Sequence, residues 1–206
     1  MTRRMAYRLH YFPIRGRGEQ IRLLCHAFGI PFEDVRVGRT EFGELRAKGV
    51  SPLAFGSMPL LEDDGFLLVQ GPAIMAYLGT KHGARPRDLH AGARCDAFVL
   101  GAEDLRIRYF RAFGEDAEKK AEFVRAEWEG RWRQRLDALL AHNGNDHHFI
   151  GSELTTADVA IWDVVDAVTN FIDGAKLDGA GRLQAFYQAF ASRPVIAKYL
   201  AERPKN

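Results

Sequence analysis

A chain of 206 residues holds one large domain or two small ones, and 47% hydrophobic with 27% charged residues describes an ordinary soluble globular protein. A net charge of +2 is too small to point to a nucleic-acid partner, and no apolar run is long enough to span a membrane or, after the basic residues Met1 to Arg8, to form a signal peptide. Two cysteines, Cys25 and Cys95, exclude a disulfide framework, a CxxC redox pair and zinc spacing, and fit a reducing cytoplasm.

Ala6 to Phe12 alternates and carries β-formers, so it predicts a strand. Arg15-Gly16-Arg17-Gly18 is a loop. Glu19 to Phe28 places Ile21, Leu24, Ala27 and Phe28 at helical spacing, and Gly29 stops it. Phe32 to Val37 is a second short strand, and Thr40 to Lys48 a weaker helix with Thr40 as its cap. Ser57-Met58-Pro59-Leu60-Leu61 opens an apolar run, Asp64-Gly65 turns the chain, and Phe66 to Val69 answers it. Asp-Gly between apolar runs is the strongest short hairpin signal. Gln70-Gly71-Pro72 ends the hairpin and starts a helix, Pro72 to His82, whose proline suits the first turn. The free N–H groups and dipole of that helix start favour an anion. Gln70 brings two donors and an acceptor to its mouth, so this is a place for the carboxylate of a small peptide-like ligand.

Gly83 to His90 is a linker rich in Gly, Pro, Arg and Asp. Beyond it no strand is predicted. Ala91 to Phe113, Glu115 to His142, Thr155 to Phe171, Gly181 to Ala191 and Pro194 to Glu202 are helical, with a polar break at Asn143 to His148. The fold class is therefore an α/β N-terminal domain (1–82, order β-α-β-α-β-β-α), a linker (83–90) and an all-α C-terminal domain (91–206). Thr155-Thr156-Ala157-Asp158 has the form of a capping box. Asp146-His147-His148 is a short polar loop, and no metal site is expected. Cys25 is read as a small core residue, and Trp128, Trp132 and Trp162 as packing.

Four pieces, in this order and over nearly the whole chain, resemble the cytosolic glutathione transferases, and most closely their sigma type, the group that includes glutathione-dependent prostaglandin D synthase. Leu9-His10-Tyr11-Phe12-Pro13-Ile14-Arg15-Gly16-Arg17 is similar to that group's first strand and following loop. Phe55-Gly56-Ser57-Met58-Pro59-Leu60-Leu61 resembles the segment with the family's cis-proline. Gln70-Gly71-Pro72-Ala73-Ile74 resembles the helix start that holds the γ-glutamyl group, and Gly151 with Thr155 and Asp158 resembles the family's helix-capping motif. The resemblance implies a thioredoxin-like domain joined to a helical bundle.

It also implies roles. Tyr11 matches the catalytic tyrosine that donates a hydrogen bond to the glutathione sulfur. Hydrogen bonds to charged groups contribute roughly 1.5–3 kcal/mol, which lowers a thiol pKa of about 8.5 by roughly one to two units and makes the reactive thiolate. Arg17 adds positive potential near the sulfur or ties its loop to the second domain, whereas Arg15 is read as solvated. Pro59 matches the cis-proline that turns the Met58 N–H and C=O toward the cysteinyl unit. Gln70 and Gly71 take the γ-glutamyl carboxylate, and Arg46 meets the glycine carboxylate. Asp104, beside Glu103, matches the acidic position that reaches the partner subunit's γ-glutamyl amine, which implies a homodimer. Phe12, Ile14, Arg106, Tyr109 and Phe110 are the candidates for the second-substrate pocket, where aromatics stack on a planar electrophile.

Three positions depart from the sigma pattern. Phe42 stands where tryptophan is usual, Ser57 where lysine is frequent, and Gly71 where serine is usual. They lower the number of donors and charges around the tripeptide, and suggest weaker glutathione binding or a related thiol with a modified glycine end. The expected function is a cytoplasmic transferase that adds the glutathione sulfur to a small electrophile, with glutathione as co-substrate and no further cofactor. The alternatives are a glutathione-dependent isomerase and a non-catalytic ligand-binding or structural relative. Disulfide exchange is excluded because no cysteine lies near Tyr11 to Arg17.

Overall fold

The computed structural model describes residues 7–49 and 53–204. Ala6, the first residue of the predicted opening strand, lies outside the described residues. The strands β1 (Tyr7–Tyr11), β2 (Phe32–Arg36), β3 (Leu60–Asp63) and β4 (Phe66–Val69) form one sheet in the order β2-β1-β3-β4. β1 runs parallel to β2 and antiparallel to β3, and β3 pairs with β4 as the predicted hairpin. Asp64 (φ 49°) and Gly65 (φ 84°) both take the left-handed conformation that a two-residue hairpin turn requires. The alternation of β1 buries Tyr7, Leu9 and Tyr11. Tyr7 and Leu9 join the main core with α1 (Glu19–Ala27) and α3 (Gly71–His82). Tyr11 instead joins a smaller apolar cluster with Val37, Leu53, Met58, Leu60 and Val69.

α2 (Arg39–Ala47) begins one residue before the predicted helix, and Thr40 does not cap it. The Glu41 carboxylate reaches back to accept the Gly38 N–H at 2.7 Å, so Gly38 takes the cap position and Thr40 falls inside the first turn. α3 likewise starts at Gly71, with Pro72 in its first turn.

The second half is helical throughout its regular elements: α4 (Leu89–Phe113), α5 (Ala117–Phe123), α6 (Arg133–Asn143), α7 (Thr156–Phe171), α8 (Gly181–Ala191) and α9 (Pro194–Glu202). The predicted helix from Glu115 to His142 is three pieces. Asp116 caps α5 through the Lys119 N–H at 3.0 Å, and a π-helical stretch, Val124–Trp132, joins α5 to α6. Trp128 and Trp162 are fully buried, each with its indole N–H on a backbone carbonyl (Lys176 at 2.8 Å, Tyr187 at 2.9 Å), and Trp132 packs half-buried against the same core. Cys25 is buried, and desolvation pushes its thiol up to about 12, which keeps it an inert core residue. The residues of Asp146-His147-His148 go to separate partners: Asp146 pairs with Arg182, and His148 is buried with Nδ1 3.6 Å from Asp158.

α7 is the spine of this half, buried from Thr156 to Val168. Its start is held by Asp158, which accepts the Thr155 N–H (2.7 Å) and hydroxyl (2.9 Å) with one oxygen and the Phe149 N–H (2.7 Å) with the other. All of these groups are buried. Asp158→Ala loses a cap and leaves buried donors without partners, so it is expected to cost about 3 kcal/mol. For a chain of this size that lowers the melting temperature by roughly 6–12 °C. Scanning calorimetry reads the shift.

Candidate active site

Tyr11 ends β1, and the chain turns directly over its ring. Gly16 has φ +45°, and a Cβ there would stand 2.6 Å from the Tyr11 Oη; a Cβ on Gly18 would stand 2.6 Å from its Cδ1. Only glycine at these two positions lets the backbone lie on the phenol. That approach brings the Arg17 N–H to the Tyr11 Oη at 2.9 Å. Because the oxygen accepts this bond, its own proton is directed elsewhere. Burial pushes the phenol above its ordinary value, against the Arg17 N–H and the charges of Arg17, Arg106 and Arg22, which pull it down. Tyr11 is therefore a protonated donor at neutral pH. Reading Arg15 to Gly18 as a plain loop missed the two glycines; their alternation immediately after the tyrosine was the available signal. Gly18→Ala forces the ring or the loop to move and is expected to cost about 1–3 kcal/mol. Thermal denaturation measures that cost, and turnover in the same preparation should fall with it.

The small cluster around Tyr11 gathers the other predicted residues. Phe12 meets the Tyr11 ring edge-on at 5.6 Å and the Phe42 ring at 5.1 Å. Met58 is buried against Tyr11, and the Met58–Pro59 peptide is cis. The Arg46 guanidinium, exposed, lies 5.7 Å from the Phe42 ring centre and close to Gly56; Ser57 is exposed beside them. On the other flank, Gln70 sits at the α3 cap with φ +75°, its exposed side chain unused in the cap. Gly71 packs against the backbone of Arg17 and against the side chain of Gln20, a buried residue that the sequence reading passed over. The α3 N-terminus thus abuts the loop that covers Tyr11.

Arg17 faces α4. Its Nε donates to Glu103 at 2.6 Å, and its guanidinium lies over the Phe110 ring at 5.1 Å. The second Glu103 oxygen accepts Arg106 Nε at 3.1 Å. Arg106 corrects the pocket expectation. It is 1% exposed and sits 2.9 Å from the Asp163 carboxylate, in an ion pair too poorly aligned to be a hydrogen bond. A guanidinium between two carboxylates is held between α4 and α7 inside the helical half, and its charge acts on the Tyr11 phenol from there. Desolvation pushes Asp163 up to about 6, with Arg106 opposing. Tyr109 is also buried, Phe110 half-buried and Ile14 exposed on the loop. Asp104 stands exposed on α4, apart from the Tyr11 cluster, while its neighbour Glu103 takes the arginines.

Arg15 is the second correction. It is buried rather than solvated, paired with Asp166 of α7 and stacked over the Phe171 ring at 4.7 Å. Asp166 also accepts Arg203 Nη2 and Tyr187 Oη, both at 2.6 Å. Arg22, fully buried in α1, reaches Asp34 at 3.0 Å, Glu19 at 3.3 Å and the Ile14 carbonyl at 3.1 Å. Glu19 in turn accepts Tyr199 Oη and Arg203 Nη1, both at 3.0 Å. The loop over Tyr11 is pinned to the helical half by this network.

The family models described as glutathione S-transferase, N-terminal domain, and glutathione S-transferase, C-terminal domain, match residues 7–80 and 103–203. Glutathione S-transferase 1 of Ascaris suum is 33% identical over 207 residues, covering 97% of this chain and 98% of the relative. The fold is similar to the Pi-class glutathione S-transferase of Onchocerca volvulus (TM-score 0.88, 29% identity, 97% and 94% coverage). It is also similar to prostaglandin synthase D of Nilaparvata lugens (TM-score 0.81, 25% identity, 98% and 100% coverage). With both halves matched and a curated relative aligned end to end, the chain belongs to the glutathione S-transferase family.

Proposed function

We propose that this chain binds glutathione beside Tyr11 and transfers its sulfur to an electrophile. The observation that carries the reading is the Tyr11 phenol, kept protonated by burial and already accepting the Arg17 N–H, so that its proton is available to a sulfur anion. The thiolate attacks the electrophilic carbon, the S–C bond forms, and the leaving group departs with its electron pair. The thiol proton is lost to solvent. Arg17 supports the anion by its charge. The Met58 backbone pairs with the cysteinyl unit beside Pro59, Gln70 and Gly71 take the γ-glutamyl carboxylate, and Phe42, Arg46 and Ser57 border the glycine end. Phe12, Ile14 and Phe110 face the electrophile, with the buried Tyr109 ring packed against Phe110, and Asp104 reaches a second protomer in a cytoplasmic homodimer. Retention on immobilised glutathione, with turnover of chlorodinitrobenzene, tests the reading; a chain that neither binds nor turns over refutes it.

The similarity to a prostaglandin synthase D favours a second reading, an isomerase that returns glutathione unchanged. Product analysis separates the two, since a transferase leaves a thioether and an isomerase leaves free thiol.

Arg46 is exposed, and an exposed ion pair contributes only about 0–1 kcal/mol. The glycine carboxylate therefore adds little to binding. A thiol with that carboxylate capped by an amine, such as glutathionylspermidine, is expected to bind within about five-fold of glutathione by calorimetry. Binding weaker than that by a further order of magnitude would show that the glycine end is read tightly.

A further inference from the structure

We propose that Gln20 is a ligand-binding residue: through the space left by the absent Gly71 side chain, its amide donates to the γ-glutamyl carboxylate of the bound thiol. The inference rests on the reading that the α3 N-terminus holds that carboxylate.

Gln20 lies in the first turn of α1 and is 2% exposed. A Cβ built on Gly71 would stand 2.8 Å from the Gln20 Nε2 and 3.9 Å from its Cδ, so the amide tip occupies the place where the side chain of residue 71 would be. Its Nε2 donates a long hydrogen bond to the Arg17 carbonyl, at 3.5 Å. A primary amide has two donors, and a buried amide held by one weak bond is under-satisfied. The Arg17 carbonyl also fixes which end of the amide faces Gly71, because an amide oxygen there would confront another acceptor.

The helix start itself is short of donors. Pro72 has no N–H, and the Ile74 N–H is used by the Gln70 carbonyl at 3.0 Å. The Gly71 and Ala73 N–H groups are left, without the hydroxyl that a serine at 71 would bring. The second Gln20 donor makes good that deficit from beneath, and it can do so only while residue 71 lacks a Cβ. Gln20 and Gly71 are one device built from two elements far apart in sequence.

The test is calorimetry with two ligands: glutathione, and γ-aminobutyryl-cysteinylglycine, which lacks only the carboxylate in question. The unmodified chain should prefer glutathione. Gln20→Met should bind glutathione roughly ten-fold more weakly, the loss expected for one hydrogen bond to a charged group, while its affinity for the analogue stays unchanged. Gly71→Ala, whose Cβ displaces the amide, should behave alike, and the double variant Gln20→Ala with Gly71→Ser should recover most of the glutathione affinity. If Gln20→Met does not fold, Gly71→Ala and the double variant give the answer. The proposal is overturned if the unmodified chain prefers glutathione yet the variants keep that preference, or lose both ligands equally. If the unmodified chain does not distinguish the ligands, the carboxylate site fails and takes the proposal with it.

Discussion

Tyr11→Phe should fold normally and lose most of its turnover with chlorodinitrobenzene. Removing one hydrogen bond to a thiolate forfeits roughly 1.5–3 kcal/mol, which raises the thiol pKa by roughly one to two units and so cuts the thiolate fraction, and the rate, by about 8- to 25-fold at neutral pH. The fold should survive because the ring, which packs with Met58 and Leu60, is retained. What is lost structurally is an acceptor for the Arg17 N–H, a cost of about 1–2 kcal/mol. The pH profile gives the same account a sign. The thiolate is the reactive form, so activity rises with pH through the pKa of the bound thiol. In the unmodified enzyme the midpoint of that rise should lie roughly one to two units below the free-thiol value, close to neutrality. In Tyr11→Phe it should move up toward the free-thiol value of about 8.5, so the two rates converge at high pH. Equal loss at every pH would assign Tyr11 to positioning alone.

The second large effect is expected at Asp166. Its carboxylate is 2% exposed and holds Arg15 from the loop over Tyr11, Arg203 from beyond α9, and the Tyr187 hydroxyl. Asp166→Ala strands the buried Arg15 guanidinium and leaves Arg203 with Glu19 as its remaining carboxylate. Removing one partner from a buried pair costs about 3–5 kcal/mol, which for a chain of this size lowers the melting temperature by roughly 6–20 °C. Because Arg15 belongs to the segment that places Arg17, glutathione binding should weaken as well. Thermal denaturation with and without glutathione reads both effects. A melting temperature within about 2 °C of the unmodified chain would mean that the network is solvated and dispensable.

The elements that position the site were legible because each is written locally. Asp64-Gly65 between apolar runs specified the β3–β4 hairpin, and Gln70-Gly71-Pro72 marked the start of α3 within one residue. Asp158, three residues after Thr155, announced the start of α7. The capping of α2 was misplaced because a Glu41 side chain reaching backward to Gly38 satisfies the turn as well as a Thr40 hydroxyl would.

The charged residues were harder to read. Arg15, Arg17, Arg22 and Arg106 look alike in sequence, yet burial runs from complete for Arg22 to partial for Arg17. Their fates depend on carboxylates as distant as Asp163 and Asp166, and no local spacing encodes a pairing across 150 residues such as Arg15 with Asp166, which are 151 apart. The same holds for Gln20, whose neighbour Gly71 lies on another helix. Local pattern identified the phenol; only the packed chain showed what presses on it.

The central claim is that the Tyr11 hydroxyl lowers the pKa of a bound thiol. Ultraviolet titration of the glutathione thiolate on the enzyme measures this directly. The account predicts half-ionisation roughly one to two units below the free-thiol value of about 8.5, and a return to that value in Tyr11→Phe. Identical titrations in the two proteins, at any pKa, would contradict it.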